Sequence, residues 1–202
     1  MITRSLITAA AVGCALASTR TLSAQTAEAN ASPERHARWE LVVPTGTIVP
    51  TGAQRDAIKR GNMTAAQLSY VVHPSLAVTA TVGWARSRDV AAANDPKLDV
   101  FSYDLGAEAR APRWGASSAV TFMPFAGVGA GARSYNYRSL DVDATHNLAG
   151  YASAGGELGA RRIRLRLEAR DYVTGFRPLA GGGGADTRND VVLMAGLRYV
   201  RR

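Results

Sequence analysis

The sequence predicts an all-β chain: an eight-stranded antiparallel up-and-down transmembrane β-barrel. Three observations lead there. The first is period-2 alternation, clearest in "IRLRLEAR", residues 163–170, where Ile163, Leu165, Leu167 and Ala169 fall on one face and Arg164, Arg166, Glu168 and Arg170 on the other. The second is loop length. The connections between alternating segments are long (50–62), short (73–75), long (87–97), moderate (111–117), long (134–146), very short (161–162) and long (174–190). With the N-terminus in the periplasm, the longer ones lie outside the cell, as in outer-membrane barrels. The third is the chemistry of the polar faces. They mix Gly, Ser and Thr with Asp104, Glu108, Glu157 and Glu168 against Arg110, Arg164, Arg166, Arg170 and Arg198. The lysines, which a solvent face favours, are Lys59 and Lys97, both in outer connections.

Taken in order, the 202 residues begin with a secretory signal, residues 1–24: Arg4, an apolar run from Leu6 to Ala17, then small residues ending at Ala24. "AVGC" loosely matches a lipidation site at Cys14, the alternative to cleavage after Ala24. Cys14 is the single cysteine, so cleavage leaves a chain without disulfides, thiolate metal sites or cysteine nucleophiles. Cleavage also removes Arg4 and Arg20, taking the net charge of +8 to +6, that is 22 basic against 16 acidic side chains. No basic run with interleaved aromatics marks nucleic acid as a partner. Residues 25–38 read as a flexible periplasmic leader, and 39–202 as the barrel domain.

Strand one, 39–49, fits least well, with Pro44 and Gly46 inside it. Strand two, 63–72, carries Ala66, Leu68, Tyr70 and Val72 on its apolar face; strand three, 76–86, carries Leu76, Val78, Ala80, Val82 and Trp84. Strand four, 98–110, sets Phe101, Tyr103 and Leu105 against Asp104 and Glu108. Strand five, 118–133, sets Phe122, Val128 and Ala130 against Gly127, Gly129 and Gly131. Strand six, 147–160, opposes Leu148 and Leu158 to Tyr151 and Glu157. Strand seven is the 163–170 stretch, and strand eight, 190–200, opposes Leu193 and Leu197 to Met194 and Arg198. Most are near the ~10 residues a tilted strand needs to cross a bilayer. Aromatics gather at two levels, Trp84, Phe101 and Tyr103 at the outer rim and Tyr70, Phe122 and Tyr199 at the inner, as interfacial girdles do. Like faces must pair across the tight connection at Arg161-Arg162, which sets Leu158 opposite Leu165 and Glu157 opposite Arg166 as a cross-strand ion pair.

With its last strand "MAGLRYVRR", the chain resembles the small eight-stranded outer-membrane barrels of Gram-negative-type bacteria, the OmpA-, OmpX- and OmpW-like proteins. Gly196 and Tyr199 fit that family's assembly signal, whereas Arg201 and Arg202 stand where a final aromatic is usual. The resemblance implies an outer-membrane location and contact with the barrel assembly machinery through the C-terminal strand. It also implies a monomer without a cofactor, in contact with outer-membrane lipid and lipopolysaccharide. The expected function is non-enzymatic: structural, adhesive or surface-binding through the outer loops, or at most passage of very small solutes. Two alternatives stand beside it, a lipid-modifying enzyme on the same barrel and a soluble exported barrel holding a hydrophobic ligand in an apolar lumen.

The candidate sites are modest. Asp104, Glu108, Arg110, Glu157, Arg164, Arg166, Glu168, Arg170 and Arg198 are expected to fill the lumen as a paired charge network, since eight strands leave room for little more than side chains. Arg55, Lys59 and Arg60 in the first outer loop are candidates for lipopolysaccharide phosphates. His73-Pro74-Ser75 juxtaposes a base and a hydroxyl, but in an inner turn, where Pro74 explains it better. Asp141 and Asp143 offer two carboxylates to a cation, fewer oxygen ligands than Ca²⁺ takes. "GGGG", 181–184, lacks the strand–loop–helix setting of a phosphate loop. No catalytic, metal or cofactor residue is expected.

Overall fold

The computed structural model describes residues 39–115, 120–138, 140–160, 163–176 and 186–199. The signal, Cys14, the leader, Arg161-Arg162, the four-glycine stretch and Arg201-Arg202 lie outside the described residues. Eight strands follow one another: β1 (Trp39–Thr51), β2 (Gly61–His73), β3 (Leu76–Arg88), β4 (Lys97–Arg110), β5 (Thr121–Tyr137), β6 (Thr145–Ala160), β7 (Ile163–Phe176) and β8 (Asp186–Tyr199). Each pairs antiparallel with the next, and β1 closes on β8. Every strand thus has a hydrogen-bonded neighbour on both sides, which is what a sheet immersed in lipid requires.

The faces fall as a membrane barrel demands. On β7, Ile163, Leu165 and Leu167 are exposed while Arg164, Arg166, Glu168 and Arg170 are buried. On β4, Leu105 is 67% exposed and Asp104, on the other face, 3%. A soluble carrier would show the reverse, so the expectation of an apolar lumen with outward charges is not met. Outward positions on β3 run Leu76, Val78, Ala80, Val82, Trp84; at ~3.4 Å per residue and ~45° tilt they cover about 20 Å, near the ~25 Å apolar band of such barrels. Aromatics stand at both levels. Trp39 packs on Tyr70 (4.8 Å between centroids) and Trp114 on Phe122 (6.2 Å) at the inner rim; Trp84 stacks on Phe101 (6.5 Å) at the outer.

The register across the β6–β7 turn is Ala160 with Ile163, Leu158 with Leu165 and Glu157 with Arg166, as like faces require. The irregular β1 has local causes. Its ladder with β2 breaks at Val43-Pro44, where proline has no N–H to give. Gly46 is crossed so closely by β8 that a Cβ there would lie 1.8 Å from the Leu193 carbonyl oxygen. Thr45 and Thr47 turn outward, and their hydroxyls donate to the Met63 and Gly61 carbonyls (3.1 and 2.8 Å).

Two expectations are corrected. The strands run further outward than the alternation implied, leaving 52–60, 89–96, 138–144 and 177–185 as outer connections. Above the apolar band the outward positions turn polar, as at Asn62, Arg86, Arg88 and Asn136, so the pairing continues without an apolar lipid-facing row to reveal it. Strand five starts at Thr121 rather than Ser118, and the 111–120 connection folds back through mutual Trp114–Phe122 backbone hydrogen bonds of 2.7 and 2.8 Å.

Candidate functional site: the lumen and the outer rim

The inner half of the lumen is a closed circuit of alternating charges. Arg110 (β4) donates to Glu40 (β1) at 2.8 Å and to Glu108 (β4) at 2.7 Å. Arg166 (β7) donates to Glu108 and, at 3.4 Å, to Glu157 (β6). Arg198 (β8) donates to both Glu157 and Glu40, which closes the circuit. A branch leads toward the outer side. Glu168 accepts from Arg166 (2.7 Å) and from Arg170 (2.5 Å), and Arg170 reaches Gln67 (2.8 Å) and Thr81 (3.2 Å) and lies 3.6 Å from Asp104. Asp104 in turn accepts the Tyr172 hydroxyl at 2.6 Å. Strand alternation places these residues at inward positions: Asp104, Glu108 and Arg110 are four and two apart on β4, and Arg166, Glu168, Arg170 and Tyr172 are two apart on β7. Arg166 also lies over the Phe125 ring, 3.7 Å from its centroid.

All nine of the expected lumen charges are buried. Among the described residues eight of them join ion pairs and Arg164 does not. Its partner across the β7–β8 ladder is Arg198, a like charge, and its Nε and Nη1 have no hydrogen-bond acceptor. The sequence reading missed Glu40, on the irregular β1, and the Arg133–Asp190 ion pair, whose members sit at the outermost ends of the expected strands five and eight.

Toward the outer side the lumen becomes apolar and aromatic: Tyr135, Tyr137, Tyr151, Tyr172, Leu98 and Val100 are buried there. Glycines make the room. A Cβ at Gly106 would stand 2.2 Å from the Tyr151 hydroxyl, and one at Gly129 2.4 Å from its ring. The first outer connection closes this end. It opens with a 3-10 turn, Gly52–Asp56, and sends Gln54, Ala57 and Ile58 inward to complete burial. Ile58 bridges to Asp89, Val90 N–H donates to the Ala57 carbonyl (2.9 Å), and Arg188 donates to the Ala53 carbonyl (2.8 Å). Asp89 holds the next connection, accepting the Ala91 and Ala92 N–H groups and the Tyr137 hydroxyl. Ala57 and Ile58 were the signal for this plug, two apolar residues in an otherwise polar loop.

Arg55, Lys59 and Arg60 are exposed on the same connection but do not form one group. Arg55 belongs to the 3-10 turn, which packs toward β1 and β8, whereas Lys59 donates its N–H to the Arg88 carbonyl on β3 (3.0 Å). At the inner rim His73 and Ser75 do meet, Nδ1 to Oγ at 2.9 Å, but the Ser75 N–H also donates to that nitrogen (3.3 Å), so the contact caps the turn. Pro74 cannot take the positive φ of a primed hairpin turn, and the ladder shifts register between Val71 and His73 to absorb the mismatch. Asp141 and Asp143 are exposed, and no group of three metal-ligating side chains occurs among the described residues.

The arrangement is that of the small outer-membrane barrels. Neisserial surface protein A superposes with a TM-score of 0.56 over 82% of this chain and 99% of its own, at 14% identity. The attachment invasion locus protein Ail of Yersinia pestis matches at a TM-score of 0.44 and 10% identity, over 81% of this chain and 97% of its own. The N-terminal barrel domain of Pseudomonas aeruginosa OprF matches at 0.48 and 10% identity, over 83% of this chain and 100% of its own. No family model matches the chain, and no curated protein matches its sequence.

Proposed function

From the premise that this chain has the fold of the small eight-stranded outer-membrane β-barrels, we propose that it is an exported outer-membrane protein whose lumen neither conducts nor catalyses. Its work lies on the surface it presents outside the cell. The observation that carries this reading is the two-layer filling of the lumen: a closed ion-pair circuit in the inner half and an aromatic plug capped by Gln54, Ala57 and Ile58 in the outer half. Among the described residues, side chains so held fill the lumen with ion pairs below and aromatic rings above. Each acid of the circuit, Glu40, Glu108 and Glu157, is engaged by two arginines and so is not free to act as a base. The outer connections and the strand extensions beneath them are then the parts free to meet a structural, adhesive or lipid partner.

The test combines location and conductance. Mature protein should pellet with the outer membrane and migrate faster unboiled than boiled. In planar bilayers it should give no stable unitary steps. Soluble periplasmic protein, or regular large steps, would overturn the reading.

A further inference from the structure

The inner mouth of the lumen carries more positive charge than its circuit absorbs. The circuit closes on itself: Glu40, Glu108 and Glu157 each accept from two of Arg110, Arg166 and Arg198, and each of those arginines gives to two of the acids. Nothing in it is left for Arg164. That residue is the second of β7, next to the inner turn, and is 7% exposed. Its Nε and Nη1 are buried without an acceptor. Glu157 and Glu40 act on it through space, but among the described residues no carboxylate pairs with it. A buried guanidinium in that position is costly unless another group answers its charge.

Its surroundings add charge of the same sign. Across the β7–β8 ladder Arg164 faces Arg198, whose Nη1 and Nη2 are held by Glu40 and Glu157 and whose Nε is buried without an acceptor. Across the β6–β7 ladder it faces Gly159, where a Cβ would lie 2.6 Å from the Arg164 Cγ, so the glycine leaves room for the arginine's stem. Arg113, exposed in the β4–β5 connection, is near enough for its charge to act on Arg164. The inner connections supply no acid. Residues 74–75, 111–120 and 161–162 contain Arg113, Arg161 and Arg162 and no Asp or Glu. An anion arriving from the periplasm therefore meets a mouth of one sign, which raises its local concentration.

We propose that the inner mouth of the barrel binds a dianionic tetrahedral oxyanion from the periplasm, inorganic phosphate or a phosphate monoester, between Arg164 and Arg198 with Arg113 at the entrance. Guanidinium groups brought together from β7, β8 and a connection favour a dianion over a monoanion. Donors converging from three backbone segments favour a tetrahedral ion over a planar carboxylate. Both strand arginines are buried in the lumen, so a membrane lipid outside the barrel does not reach them. The ion answers the charge that the circuit leaves over, and it ties β7 to β8 at their inner ends. The site is additional to the surface role above and rests on that reading only for which end meets the periplasm.

The test uses full mature barrel refolded in maltoside micelles, where both ends are open to solvent, in phosphate-free buffer. Inorganic phosphate is titrated in at constant ionic strength, with binding followed by calorimetry and stability by urea unfolding. At a hundred times its dissociation constant, a ligand of the folded state raises the folded-to-unfolded ratio about a hundredfold, so the wild-type midpoint should climb with phosphate. Arg164→Met should weaken binding roughly ten- to hundredfold, the equivalent of one charge-assisted hydrogen bond. Arg113→Gln should weaken it less than about fivefold, as suits an exposed charge. Without phosphate Arg164→Met should be no less stable than wild type; with saturating phosphate wild type should be the more stable. Arg86→Gln, at the outer rim, should bind like wild type. Glycerol 3-phosphate tells the two sources apart: its binding assigns monoesters to the mouth, and binding of phosphate alone restricts the mouth to the free ion. No heat and no shift with either overturns the proposal. So does an equal shift with chloride, an equal shift in Arg164→Met, or an equal loss in Arg86→Gln. A closed, inserted barrel that ignores phosphate refutes this site and leaves the function above standing.

Discussion

Arg166 and Arg164 are two residues apart on one strand face, both buried, and opposite in consequence. Arg166 meets Glu108, Glu157 and Glu168; among the described residues Arg164 meets no carboxylate, and it faces Arg198. Removing one partner of a buried ion pair typically costs ~3–5 kcal/mol, because the charge left behind is uncompensated. Arg166→Met should lose at least that much in urea unfolding from lipid vesicles. Arg164→Met removes an unpaired buried charge and should be neutral or stabilising in the same measurement. The Glu157–Arg166 pair was legible from register alone, but its setting was not. In a charge swap at the two sites, Glu157→Arg would bring a second cation against Arg198, and Arg166→Glu would bring a third carboxylate against Glu108 and Glu168. The double variant should therefore recover little of either single loss. Gly129 gives a further residue-scale prediction. Valine there must displace the Tyr151 ring, and overpacking of this kind costs about 1–3 kcal/mol, so Gly129→Val should lower the temperature at which the unboiled gel mobility is lost.

For the strands themselves, the lipid-facing positions differ in depth. Leu193 lies midway up β8, paired with Ala169 and Thr47, whereas Leu165 is two residues from the inner turn. An arginine on the lipid face costs roughly 2–4 kcal/mol at the midplane and about 0–1 near the interface. Leu193→Arg should therefore reduce folding yield into bilayers sharply and Leu165→Arg only slightly; equal penalties would mean the belt is placed wrongly. The same depth dependence explains what could be read in advance. Within the apolar band, water-avoiding and lumen-facing residues must alternate, so β2 to β8 show their faces in the sequence. Above it nothing forces the outward residue to be apolar, and stretches such as Ser134 to Tyr137 hide a strand that pairs as regularly as any other. β1 obscured Glu40 for a different reason: Pro44 and Gly46 answer to a broken ladder and a close crossing by β8, not to burial.

At the level of the whole barrel, two barriers stand in series, the loop plug and the charge circuit. Deleting residues 52–60 removes only the first, so the shortened barrel should still show no unitary steps in planar bilayers, though its outer aromatics should become open to collisional quenchers. Conductance after that deletion alone would show the circuit to be leaky. The circuit also has a place in time. Glu40 belongs to the first strand, and its partners lie 70 and 158 residues later, Arg110 on β4 and Arg198 on β8. A chain emerging from N- to C-terminus carries Glu40 and Glu157 with their charges incompletely answered until its last strand arrives. A half-built barrel entering the membrane would drag those carboxylates with it. The final strand therefore works as a latch: insertion becomes favourable only once the chain is whole, and a chain cut short before β8 is kept out of the bilayer by its own unanswered charge.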